Sequence, residues 1–80
     1  MINIKMFGSL RLKTGFKGGE VDYSKVSSVK EACEYLSEIT GKDPKEFKNC
    51  NYVVNGKMVK PNAKLNDGDE LVLMAASGGG

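Results

Sequence analysis

Residues 28–41 read SVKEACEYLSEITG, and this stretch decides the fold because it predicts the main helix of the chain. Ser28 and Glu31 match the S-x-x-E capping box, in which both side chains satisfy backbone N–H groups at a helix start. Gly41 stands where a helix commonly ends in a left-handed residue. Cys33 falls among the apolar residues and is interpreted as a small buried hydrophobe. The residues that recur at helical spacing predict one buried stripe: Val29, Ala32, Cys33, Leu36 and Ile39.

Upstream of this helix, residues 2–7 (INIKMF) alternate with the period of a β-strand. Residues 8–15 (GSLRLKTG) have room for one or two helical turns, and residues 20–23 (EVDY) predict a short edge strand. The alternation in the first strand predicts one face with Ile2, Ile4 and Met6 and an opposite face with Asn3, Lys5 and Phe7.

Downstream of the helix, the sequence predicts β structure. The segments NYVV and KMV flank Asn55-Gly56, the favoured pair for a type I′ hairpin turn. Pro61 ends the second arm or marks it as an edge strand. Residues 70–75 (ELVLMA) are nearly all apolar, as expected of a strand that is covered or paired on both sides. Between helix and hairpin, residues 42–51 form a polar connection, in which Asp43-Pro44 can open a further helical turn.

The 80 residues suit a single domain with a small core. One amphipathic helix must bury its stripe against a mixed sheet, which predicts an α+β two-layer architecture. The order of the strands in the sheet is not readable from periodicity.

Composition excludes several classes of function. The net charge of +2, without a dense Lys/Arg run, argues against a nucleic-acid partner. No apolar run approaches the roughly 20 residues that cross a bilayer, and the alternating start does not resemble a signal peptide, so we expect no membrane partner and a cytoplasmic location. Cys33 and Cys50 are expected to be reduced thiols. The chain has no histidine, so it cannot form a Ser-His-Asp triad, a Cys-His dyad or a histidine-bearing metal site by itself, and no metal site is expected.

Over essentially its whole length the chain resembles the MoaD/ThiS-like β-grasp sulfur carriers, which are ubiquitin-like proteins. The resemblance lies in the element order, the segments VNGKMV and LNDGDEL, and the glycines at the end. It implies a mixed sheet of about four to five strands packed on one main helix, with a β-grasp domain over residues 1–76 and a flexible tail over 77–80. The opening MINIKMFGSLRLKTG is similar to the small subunit of molybdopterin synthase, since five residues fit that pattern: Phe7, Gly8, Leu10, Arg11 and Gly15.

The resemblance also implies a function. A MoeB/ThiF-like adenylating enzyme would consume ATP to activate the carboxylate of Gly80, and sulfur would then replace the adenylate to give a thiocarboxylate. Gly79 precedes this reactive end as part of the family's diglycine. In the molybdopterin branch, a MoaE-like large synthase subunit would receive the tail and take the sulfur. The chain would bind no cofactor and would not be catalytic alone.

A carrier must also dock on its partners. By resemblance, Phe7, Met58 and Met74 match apolar docking positions of the molybdopterin-type carriers, and Arg11 and Gly78 are further candidate contacts. Ordinary core or scattered surface positions are the alternative for the apolar residues. Arg11 and the acidic turn with Asp67, Asp69 and Glu70 could add polar contacts at the rim or could be simply solvated.

Other functions stay open at this point. The end AASGGG, taken alone, is typical of a frayed terminus. The family often has Pro-Pro-Val near its end, where this chain has residues 75–77 (AAS), so the receiving enzyme is open. A thiamine-type carrier, a ubiquitin-like modifier joined to a lysine through Gly80, and a non-catalytic β-grasp binding module are the alternatives.

Overall fold

The computed structural model describes residues 1–16, 18–48 and 50–75. The expected domain boundary after residue 76 and the expected flexible tail over 77–80 lie outside these residues. In chain order the elements are β1 (Ile2–Phe7), α1 (Ser9–Thr14), β2 (Gly19–Val21), a 3₁₀ turn (Tyr23–Lys25), α2 (Val29–Thr40), α3 (Lys45–Lys48), β3 (Cys50–Val54), β4 (Lys57–Val59) and β5 (Glu70–Ala75).

The strands form one mixed sheet in the order β2-β1-β5-β3-β4. The last strand, β5, lies at the centre, parallel to β1 and antiparallel to β3. This confirms the prediction that its apolar run is paired on both sides. The short β2 lies at one edge, as predicted, and β4 at the other. The expected mixed sheet packed on one main helix is therefore confirmed, with five strands.

The main helix α2 packs its stripe on one face of the sheet, and Val29, Ala32, Cys33 and Leu36 are buried as predicted. The prediction for Ile39 is wrong, because this side chain is 49% exposed. Ile39 lies at the margin of the stripe, whose centre falls on Thr40 in the last turn. The half-buried Thr40 donates its hydroxyl to the carbonyl of Leu36 at 2.6 Å.

Both ends of α2 follow the sequence prediction. The hydroxyl of Ser28 accepts the N–H of Glu31 at 3.1 Å. The carboxylate of Glu31 reaches back one residue further than in the standard capping box and accepts the N–H of Ser27 at 3.0 Å. Gly41 has φ 72° and donates its N–H to Ser37, so the helix ends in the left-handed conformation expected of glycine there.

The connection after α2 contributes to the core more than its polar sequence suggests. Asp43 caps the predicted further turn by accepting the N–H of Lys45 at 2.9 Å. Within that turn, Phe47 is fully buried, which the sequence reading missed. The hydroxyl of Tyr52 on β3 donates to the carbonyl of Phe47 and so fixes α3 against the sheet.

Candidate docking face

The central strand ends beside β1 and α1, and this edge is where the chain continues toward Gly80. Because β1 and β5 are parallel, their carboxyl ends lie at the same edge of the sheet. Ala75, the last residue of β5, pairs with Cys50 at the start of β3. A Cβ added to Gly8, just after β1, would lie 4.0 Å from the Cβ of Ala75. Gly78, Gly79 and Gly80, the three candidate site residues of the tail, lie outside the described residues.

The face of the sheet opposite α2 carries large exposed apolar side chains. Phe7 and Met74 are neighbours in the register of β1 and β5 and are 51% and 39% exposed. They alternate with the buried Met6 and Leu73, which point to α2. The structure therefore brings together two of the candidate docking residues and places both on the open face, rather than in the core.

Met58 on the edge strand β4 belongs to the same face and is 70% exposed. Its register partner is Val53 on β3, and Val53 in turn pairs with Val72 on β5. The sequence reading did not single out these valines, although each alternates with core residues of its own strand. We refer to Phe7, Val53, Met58, Val72 and Met74 as the open-face patch, in which Phe7, Met58 and Met74 are exposed, Val53 is half-buried and Val72 is buried between its neighbours.

Arg11 is exposed on α1, whose Leu10 points into the core. Its neighbour Leu12 is 86% exposed, and the sequence reading did not name it as a candidate. Leu10 and Leu12 are two residues apart, which places them on nearly opposite sides of a helix, so only one of them can be buried against the sheet. Helix α1 contacts both β1 and β5. The structure does not place Arg11 on the open face itself but on the adjoining helix.

Sequence comparison identifies the family of the chain. The family model described as the ThiS family matches residues 4–80. The chain belongs to the ThiS family. This confirms the resemblance to MoaD/ThiS-like, ubiquitin-like sulfur carriers. No curated protein matches the sequence of this ThiS-family chain.

Solved structures similar to this ThiS-family chain have its fold. SAMP1 from Haloferax volcanii is 21% identical with a TM-score of 0.74, over 99% of this chain and 98% of that chain. A Pyrococcus furiosus protein assigned as molybdopterin converting factor subunit 1 is 21% identical with a TM-score of 0.72, over 92% and 94%. One chain in a complex of subunits 1 and 2 of the molybdopterin-converting factor from Helicobacter pylori 26695 is 21% identical with a TM-score of 0.66, over 99% and 97%. These likenesses confirm the β-grasp fold.

The acidic turn of the ThiS-family chain makes contacts within the domain. Asp69 accepts the side-chain N–H of Asn55 and the backbone N–H of Asn66, each at 2.8 Å. Glu70 pairs with Lys5 across the open face, with 3.1 Å between Oε2 and Nζ. These carboxylates therefore help to hold the turn and the sheet, and their role as rim contacts stays a prediction.

The two thiols of the ThiS-family chain are free. Burial raises the pKa of the Cys50 thiol to about 11 and also raises the pKa of Cys33. Both sulfurs are therefore protonated at neutral pH, which makes them poor nucleophiles. Within the described part of the chain, no group of three or more Cys, Asp or Glu residues could hold a metal ion. No helix in that part has the length and apolar character needed to cross a membrane.

Proposed function

We propose that this chain is a sulfur carrier that is activated at Gly80 and donates sulfur as the small subunit of a molybdopterin synthase. One observation carries the proposal: the ThiS family match runs from residue 4 through residue 80 and so includes the terminal glycines. A frayed or foreign end has no reason to fall inside the family match. The central strand β5 ends at Ala75, and only Ala76 and Ser77 separate it in sequence from the three glycines.

The proposed chemistry needs little from the chain beyond its carboxyl group. An α-carboxylate has an ordinary pKa of about 3.5 and is ionised at neutral pH, which makes it unreactive toward nucleophiles. ATP would convert the carboxylate of Gly80 into an acyl-adenylate with release of pyrophosphate. A sulfide donor would then attack the carbonyl carbon, so that a C–S bond forms while the C–O bond to AMP breaks. The product is the thiocarboxylate of Gly80.

The partner enzymes would supply the catalytic side chains. The chain contains no histidine, and its two thiols are protonated at neutral pH. Glycine has no Cβ and is the slimmest residue that can enter a narrow active-site channel, which suits Gly79 and Gly80. ATP is consumed by a MoeB/ThiF-like adenylating enzyme in this proposal, and the carrier itself holds no cofactor. Because the adenylating enzyme consumes ATP, we propose that the reaction takes place in the cytoplasm.

The open-face patch supports the docking that such a transfer requires. Exposed apolar residues that adjoin one another often mark protein interfaces, and methionine adapts to more than one partner. Phe7 lies at the carboxyl end of β1 and Met74 at the carboxyl end of β5, next to Ala75. We infer that the adenylating enzyme and a MoaE-like large subunit use this patch in turn, because both must hold the same tail.

Two observations support the molybdopterin branch over the thiamine branch. By the family resemblance, thiamine-type carriers lack the insert over residues 7–15 (FGSLRLKTG), and this insert contains the helix α1. One similar structure is a complex of subunits 1 and 2 of a molybdopterin-converting factor. A thiamine-type carrier remains the alternative within the same chemistry.

Intact-mass spectrometry tests the proposal. The purified chain is incubated with the adenylating enzyme of the same organism, ATP and sulfide, and we expect one oxygen at the terminus to be exchanged for sulfur. A variant without Gly80 should keep the fold and take up no sulfur, whereas a Lys64→Ala variant, changed on the exposed surface of the domain, should react like the wild type. Sulfur uptake by the truncated variant would contradict the role of Gly80. Partner binding without sulfur uptake by the wild type would favour a non-catalytic binding module.

A ubiquitin-like modifier is the second candidate. The likeness to small archaeal modifier protein 1 from Haloferax volcanii supports it. In this case Gly80 would form an isopeptide bond with a lysine of a target protein, instead of donating sulfur. Adducts that carry the Gly-Gly remnant on target lysines, detected by peptide mass spectrometry in cells that express the chain, would distinguish the modifier from a pure carrier.

A further inference from the structure

Leu12 is the most exposed large apolar side chain among the described residues. A single exposed leucine is ordinary on a protein surface, so its surroundings decide what it means. Leu12 sits on a short helix whose opposite side, at Leu10, is anchored in the core. Because Leu10 fixes the helix against the core, the side chain of Leu12 projects into solvent from a rigid element.

The surface beside Leu12 carries few side chains. A shallow depression of about 480 Å³ is lined by Gly8, Arg11, Leu12 and Gly15. Gly8 and Gly15 have φ 74° and 73°, a backbone conformation that side chains disfavour. A Cβ at Gly15 would meet nothing within 4 Å, so the space above the backbone there is open. The depression therefore has an apolar wall, a cationic wall and a backbone floor that a partner can approach closely.

The position of this depression relates it to the tail. Gly8 adjoins Ala75, the last residue of the central strand, and follows directly on Phe7 of the open-face patch. Residues 76–80 span at most about 18 Å when fully extended. A protein that acts on Gly80 must therefore come within this distance of Ala75, at the edge of the domain that α1 adjoins.

The charge of α1 indicates the chemistry of the partner. Its six residues, SLRLKT, include two basic residues and no acidic one. Lys13 pairs with Glu46 of α3 at 3.6 Å, whereas Arg11 takes part in none of the ion pairs found among the described residues. The guanidinium of Arg11 can thus donate hydrogen bonds to a partner's carboxylate without breaking any of these ion pairs, and its planar donor geometry suits a carboxylate well.

We propose that α1 is a second anchor for the adenylating enzyme: Leu12 enters an apolar site on that enzyme, and Arg11 pairs with a carboxylate at its rim. This inference rests on the proposed function, since it assumes an enzyme that takes Gly80. The adenylating enzyme is the occupant because activation of the carboxylate precedes every later transfer, whichever cofactor receives the sulfur. The anchor extends the docking area from the sheet onto α1, which contacts β1 and β5.

The test compares the same substitution at two exposed aliphatic residues on helices. Leu12→Glu places a carboxylate in the proposed apolar contact, and Ile39→Glu places one on α2, which lies across the sheet from the open-face patch. Binding to the adenylating enzyme of the same organism is measured by calorimetry. We expect Leu12→Glu to weaken binding at least about tenfold and Ile39→Glu less than about twofold. Arg11→Ala should also weaken binding and reduce its dependence on salt.

Equal affinity of Leu12→Glu and the wild type would overturn the anchor, as would an equal loss in Ile39→Glu. Thermal unfolding of each variant establishes that the fold is retained, which the exposure of both side chains leads us to expect. Sulfur uptake by the wild type, measured on the same samples by intact mass, separates the two claims. If the wild type takes up sulfur and Leu12→Glu binds the enzyme as tightly as the wild type, the anchor alone is rejected. If the wild type binds the enzyme but takes up no sulfur, the proposed sulfur chemistry is rejected, and the measured affinities of the variants still decide the anchor.

Discussion

Phe7 and Met74 lie side by side on the open face, as register partners in the parallel pair of β1 and β5. They come from opposite ends of the sequence, and both are exposed although they belong to strands whose alternate side chains are buried in the core. Parallel pairing brings their side chains together at the carboxyl ends of both strands, next to Ala75, the last residue of β5. This relationship makes the pair the centre of the proposed docking surface.

The first prediction concerns that pair. Phe7→Ala combined with Met74→Ala should lower the affinity for the large synthase subunit of the same organism by more than about tenfold, since truncation of a central apolar anchor commonly costs more than about 1 kcal/mol per side chain. Isothermal titration calorimetry measures the effect. Ile39→Ala serves as the control, because Ile39 is half-exposed on α2. Unchanged affinity of the double variant would remove the open-face patch from the interface.

Neighbouring residues on β5 give a second prediction, about stability. Leu73 is fully buried, whereas Met74 faces the open side. Leu73→Ala should destabilise the domain by about 2–5 kcal/mol through lost burial and a residual cavity. Met74→Ala should cost less than about 1 kcal/mol. Urea unfolding followed by circular dichroism compares the two, and equal losses would mean that the strand does not alternate as described.

A third prediction concerns the start of α2. Ser28→Ala removes the hydroxyl that accepts the N–H of Glu31, so the free energy of unfolding should fall by about 1 kcal/mol. Lys30→Ala, an exposed change in the same turn, should alter it by no more than about 0.5 kcal/mol. Chemical denaturation of both variants provides the comparison. A loss in Lys30→Ala as large as in Ser28→Ala would show that the cap is not the cause.

The fourth prediction is a loss of stability in alkali. Burial raises the pKa of Cys50 from 9.0 to about 11 in the folded state and raises that of Tyr52 as well. Above about pH 9 the unfolded chain loses these protons before the folded chain does, so the folded state holds more protons and stability falls as the pH rises. Below pH 9 this contribution is fully present.

Unfolding free energies measured between pH 8 and 11 should therefore decline, and Cys50→Ala should decline less steeply because one of the shifted groups is absent. An identical slope in that variant would contradict the assignment to Cys50. The same raised pKa predicts that alkylation of Cys50 by iodoacetamide is slow at pH 8, since only the thiolate reacts.

Much of the architecture could be predicted from residues 28–41 and the strands around them. The capping residues Ser28 and Gly41 act within one turn of the backbone, and Asn55-Gly56 adopts positive φ at both positions, as a type I′ turn requires. Such features depend on neighbours in the sequence, so local pattern is sufficient. Even the open face followed from alternation in INIKMF and ELVLMA, which separates Phe7 and Met74 from the core.

Other residues could not be placed in this way. Phe47 sits in a polar stretch, and its burial depends on Tyr52, which lies on the next strand and fixes α3. Ile39 satisfies the helical spacing but lies at the margin of the stripe, where the sheet no longer covers it. Leu10 and Leu12 are both leucines in the same short segment, so the sequence does not distinguish them. Only the packing of α1 on β1 and β5 determines which of them faces water.

The sequence by itself determined the helix, the hairpin and the two main strands, because each depends on spacing and turn chemistry over a few residues. The likeness to the sulfur carriers came instead from the resemblance of the whole chain. The tertiary structure alone decided that β5 lies between β1 and β3. Strand order reflects which apolar faces can be buried together, a property of the whole chain rather than of any segment. From that order follow the pairing of Phe7 with Met74, the valines that join them to Met58, and the position of α1 beside β5.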